Sequence, residues 1–96
     1  MMREKIGDAA MYEQLAEECT ELAKAALKKA RYLRGENPVF KSLVDIDKNL
    51  IEEYTDVMIC ITELDIHVDE KVFNMKMDRF ADRWEKFTSG THTTDS

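Results

Sequence analysis

Two clusters of carboxylates carry the chemistry this sequence can offer. Glu17-Glu18-x-x-Glu21 lies in the first half of the chain and Glu53-x-x-Asp56 in the middle. On a helix each residue advances about 100°, so Glu17 and Glu21 stand about 40° apart, with Glu18 about 60° from Glu21 on its other side. Glu53 and Asp56 stand about 60° apart on their own helix. If the two helices pack as antiparallel neighbours, both sets face one point. Three or four carboxylate oxygens suit a hard cation, Mg²⁺ or Mn²⁺. The competing reading is a solvated face, because glutamate is a good helix former and a lone E-E-x-x-E is common on helix surfaces. Two features weigh against it. Glu18 and Glu53 occupy positions that otherwise read as apolar stripe, and like charges three or four residues apart repel unless a cation offsets them.

A cationic counterpart comes later in the chain. Lys76, Arg79 and Arg83 follow a three-then-four spacing beside a run of aromatic residues. A triphosphate needs that arrangement, with a metal on one side and Lys or Arg on the other. The alternative is that these bases pair with Asp78, Asp82 and Glu85 on a solvated face. Other candidates are weaker. His67 is a lone histidine near a helix break and His92 lies in the tail. Trp84 and the phenylalanines fall at helical spacing, which is the mark of a core face. Cys19 and Cys60 do not form a CxxC pattern and read as reduced thiols, buried as small apolar groups. There is no Gly-rich phosphate loop, zinc spacing or Ser-His-Asp set, and no Glu-x-x-His pair of the kind a ferritin-like di-iron site needs.

The elements that must position these groups read as helices. Three Gly and one Pro in 96 residues leave few turns, and no long window alternates with period two, so the expected class is all-α. The first helix is expected over residues 5–34, rich in alanine, with the stripe Met11, Leu15, Glu18, Leu22, Ala25. Gly35-Glu36-Asn37-Pro38 should stop it. The second is expected over residues 42–64, opened by the weak capping box Ser42-x-x-Asp45, with the stripe Leu43, Ile46, Leu50, Glu53, Val57, Cys60, Leu64. Asp65-Ile66-His67 marks a short break. The third is expected over residues 69–87, with the stripe Phe73, Met77, Phe80, Trp84, Phe87. Residues 1–87 then form one domain, and the small polar residues 88–96 a disordered tail.

Composition narrows the partners. The net charge of −6 opposes nucleic-acid binding. No run is long and apolar enough to span a membrane, and the N-terminus lacks the apolar block of a signal peptide, so the expected compartment is the cytoplasm. A core of this size is marginal alone, and the long stripes leave apolar surface for a second copy, so a homodimer or homotetramer is expected.

The acid groups also resemble a known family. Glu17-Glu18-Cys19-Thr20-Glu21-Leu22 followed by Glu53-Tyr54-Thr55-Asp56 looks like the E-E-x-x-E … E-x-x-D signature of the MazG-type, all-α nucleotide pyrophosphohydrolases. Asn74-Met75-Lys76-Met77-Asp78-Arg79 is similar to the N-x-K-x-x-R segment found later in that family. The resemblance spans roughly residues 14–83. It implies a small helical bundle completed by oligomerisation. It also implies Mg²⁺-dependent cleavage of a nucleoside triphosphate between the α- and β-phosphates, giving monophosphate and pyrophosphate. Carried over by position, Glu18, Glu21, Glu53 and Asp56 would bind metal, Glu17 would orient or deprotonate the attacking water, and Lys76 and Arg79 would hold phosphate oxygens. The segment between the first two motifs is longer than the family's, which makes the loop 34–41 an insertion near the site. Two rivals stay open: a phosphoribosyl-ATP pyrophosphohydrolase-like enzyme, whose second motif fits Tyr54-Thr55-Asp56 poorly, and a non-catalytic helical interaction module whose acids only bind a cation.

Overall fold

The computed structural model describes residues 1–36 and 42–94, and every element among them is an α-helix: α1 (Met2–Ile6), α2 (Asp8–Arg34), α3 (Leu43–Glu63) and α4 (Glu70–Thr94). Asn37, Pro38 and the rest of the expected loop up to Lys41 lie outside the described residues, as do the last two residues of the tail. The chain divides into two compact units, Met1–Ile66 and the segment from His67 onward.

In the first unit the expected 5–34 helix is two helices. It starts earlier, at Met2, and breaks at Gly7, whose φ of 89° and ψ of 161° suit glycine alone. The five-residue α1 is too short to hold itself by backbone bonds. It is tied down by the far end of α3: the Glu63 carboxylate accepts from the Met2 N–H at 3.0 Å and, more weakly, from the Arg3 N–H at 3.5 Å. These are first-turn donors without a partner inside the helix, and an anion there also answers the helix dipole. Arg3 Nε reaches Asp8 Oδ1 at 2.8 Å across the break, and that hydrogen bond, followed by the Arg3 charge, holds the Asp8 carboxyl below its ordinary range.

The other ends follow the sequence closely. Past Arg34, Gly35 takes φ 67°, and the Gly35 and Glu36 N–H groups donate back to the Tyr32 and Arg31 carbonyls. Ser42 Oγ accepts from the Asp45 N–H at 3.2 Å and caps α3. The far end of α3 repeats the Gly35 arrangement without glycine. Asp65 sits at φ 57°, its N–H donating to Thr62 and that of Ile66 to Ile61. Aspartate tolerates this left-handed conformation better than most side chains.

α2 and α3 pack as antiparallel neighbours. Met11 near the start of α2 clusters with Cys60 and Leu64 near the end of α3, with Leu15 against them. At the opposite end, Lys29 pairs with Asp47. Between these ends Ala25, Ile46 and Val57 are also buried. Among the described residues, every buried side chain lies on the two expected stripes. Cys60 is buried as expected, and loss of hydration, ahead of the nearby acid charges, pushes its thiol above the ordinary range, so it behaves as a small apolar group. Cys19, expected to be buried too, is exposed. It follows Glu18 by 100°, which carries it off the stripe.

The second unit holds α4. Asp69 Oδ1 accepts from the Val72 N–H at 3.0 Å and caps it, as an N-cap carboxylate should. The helix continues to Thr94, past the expected end at Phe87.

Candidate metal centre

Midway along the α2–α3 interface the stripe changes from apolar to acidic. One ligand oxygen from each of Glu18, Glu53 and Asp56 lies within 4.8 Å of the other two. Glu18 and Glu53 are half-buried and Asp56 is exposed, so the group opens outward from the helix–helix seam. Its positions follow from the pattern: Glu18 comes seven residues after Met11, and Glu53 seven after Ile46, both two turns along a buried face.

The electrostatics are those of an uncompensated cluster. The Glu53 carboxyl is held above its ordinary range, first by lost hydration and then by the charges of Asp56, Glu21, Glu18 and Glu52. Among the described residues, no Lys or Arg forms an ion pair with Glu18, Glu53 or Asp56. The one side-chain hydrogen bond to the three acids among the described residues comes from a neutral group: Gln14 Nε2 donates to Glu18 Oε1 at 2.8 Å. The donor set fits a hard cation, since it is made entirely of carboxylate oxygen, with no thiolate or imidazole to favour a softer metal.

The remaining site candidates stand apart from these three. Glu21 does not share the convergence. It is exposed and pairs with Lys24 at 3.3 Å, although its charge reaches Glu53. Glu17 is exposed, one residue to the side of Glu18. Beside the acids, a cleft of about 400 Å³ is walled by Glu18, Asp56, Gln14 and the apolar Met2, Ile6 and Ile59, among others. Helix α1 supplies part of that wall.

Lys76 and Arg79 belong to the second unit. With Phe80 and Arg83 they line a depression of about 250 Å³ on α4. None of these three cations sits within ion-pair distance of Asp78, Asp82 or Glu85 among the described residues.

The sequence reading missed Gln14 and Glu63. Gln14 was within reach, since it precedes Glu18 by four residues and so shares its face. Glu63 was not, because its role depends on α1 folding back toward the end of α3. Compared with family models, curated proteins and solved structures, the chain finds no match.

Proposed function

We propose that this chain belongs to the class of divalent-cation-dependent phosphoanhydride hydrolases. Within it, the best reading is a MazG-type nucleoside triphosphate pyrophosphohydrolase, cleaving between the α- and β-phosphates to give nucleoside monophosphate and pyrophosphate. One observation carries the reading. Glu18, Glu53 and Asp56, drawn from two helices, converge to within 4.8 Å, with no cationic side chain among the described residues paired to them. Like charges held this close cost stability, and a cation bound between them offsets that cost.

In this reading Glu18, Glu53 and Asp56 hold Mg²⁺, with Mn²⁺ as a substitute, and Glu21 joins them on release from Lys24. Bound there, Mg²⁺ supplies charge neutralisation for the phosphate oxygens. Glu17, at the edge of the group, orients a water and takes its proton. Lys76 and Arg79 hold phosphate oxygens of the substrate. The exposed apolar faces of α3 and α4 are covered in a homodimer or homotetramer. The enzyme works in the cytoplasm.

Pyrophosphate release from a nucleotide panel, with and without Mg²⁺, tests the reading. Glu17→Gln should lower kcat by about 10²-fold or more while leaving Mg²⁺ affinity nearly intact. Release of single phosphate would place attack at the γ position and sink the assignment even if the metal site stands. No turnover of any nucleotide would favour a cation-binding interaction module.

A further inference from the structure

Carboxylates held this close repel one another, yet Glu18 is held among them by a neutral hydrogen bond. Gln14 lies one turn before Glu18 on α2, half-buried like Glu18, and its Nε2 donates to Glu18 Oε1 at 2.8 Å. An ionised carboxylate only accepts, so the Gln14 amide must present its NH₂ group to it. The carboxylate keeps lone pairs for a further ligand. A lysine or arginine in this place would also anchor Glu18, but its charge would compete with a cation for the same oxygens. Glutamine restrains the acid and leaves its charge intact. Both side chains also wall the cleft beside the acids.

We infer that Gln14 is the positioning residue of the metal centre, fixing the Glu18 carboxylate toward Glu53 and Asp56 before the cation arrives. The inference rests on the cation reading above and adds a residue to it. Hydrogen bonds to ligating carboxylates typically govern about 10–100-fold in metal affinity, because they spare the cation the work of ordering its own ligand.

The test is Mn²⁺ titration calorimetry on wild type, Gln14→Met and Glu53→Gln, with thermal melts of each protein in chelator. Methionine keeps the length and helix propensity of glutamine and removes the donor. Gln14→Met should bind Mn²⁺ about 10–100-fold more weakly while melting in chelator close to wild type. At saturation, the spectrum of its bound Mn²⁺ in electron paramagnetic resonance should differ from that of wild type. A lower melting temperature with unchanged Mn²⁺ affinity would assign Gln14 to the fold instead and overturn the inference. So would unchanged affinity in Gln14→Met beside lost affinity in Glu53→Gln, and that outcome leaves the metal centre standing. Wild-type protein that does not bind Mn²⁺ would overturn both.

Discussion

The α2–α3 interface and α4 carry apolar stripes of the same helical period, and they have opposite fates. On α2 and α3 the stripe is buried or half-buried except at Leu43, where α3 begins: Ile46 is 1% exposed and Cys60 3%. On α4, Phe73, Met77, Phe80 and Trp84 are all exposed, Trp84 at 53%. The α4 aromatics meet each other along their own helix, Phe80 and Trp84 with ring centroids 6.0 Å apart, Trp84 and Phe87 at 5.7 Å near edge-on. Helical period thus selects a face and is silent on what covers it. The acids sharpen the contrast. On the α2–α3 seam they stand in the stripe with no ion-pair partner among the described residues, whereas the cations of α4 stand beside theirs.

The largest expected difference between the two regions is in the stability of the dissociated chain. Ile46→Ala should cost about 2–5 kcal/mol, since it removes buried carbon and leaves a cavity. Phe80→Ala in the same chain should stay within about 0.5 kcal/mol, as exposed substitutions usually do. Urea denaturation of both variants under dilute conditions decides this, and equal costs would erase the contrast.

The acid band can be probed next. Mg²⁺ at about 100 times its Kd should stabilise wild type by about 2.7 kcal/mol. Glu53→Gln should lose that protection yet melt higher than wild type in chelator, because the variant lacks a half-hydrated charge among like charges. Scanning calorimetry with and without Mg²⁺ reads both effects, and equal Mg²⁺ protection in the two proteins would misplace the centre.

The exposed stripe makes its own prediction. Light scattering at micromolar concentration should give a dimeric or tetrameric mass, and Trp84→Asp should reduce it while leaving the α2–α3 unit folded by circular dichroism. A monomeric wild type would mean that the α4 stripe has no second copy as partner.

The smallest effect is in pH. Glu53 has a higher pKa folded than unfolded, so between those two values the native state holds the extra proton. Metal-free stability should therefore fall as pH rises through the weakly acidic range just above the ordinary glutamate value, and level off beyond it. Glu53→Gln should flatten that fall. Mg²⁺ affinity should run the other way, rising with pH as Glu53 ionises. Denaturation in chelator across pH 4–7 checks the first slope and calorimetry the second.

Much of the site's scaffold was legible from spacing. Glu18 and Glu53 could be placed on buried stripes because a period of 3.6 residues is a local property of the backbone, independent of partners. Ser42, Asp69 and Gly35 could be read as helix ends for a similar reason: each satisfies donors or carbonyls within a few residues of itself. The break at Gly7 was hidden in an alanine-rich run whose propensity favours continuation. Glu21 looked equivalent to Glu18 in the motif, but its three-residue offset turns it to the exposed side, where Lys24 meets it.

The sequence by itself determined the all-α class, the faces of the long helices and the acid band, because backbone hydrogen bonding and side-chain period act over one or two turns. The tertiary structure alone decided which acids meet. Antiparallel packing of α2 on α3 brings Glu18 to Glu53 and Asp56 across more than thirty positions of chain. It also returns Glu63 to the start of α1, sixty-one positions away. Such pairings depend on how two apolar faces register when they exclude water together, and no local rule of a single helix contains that information.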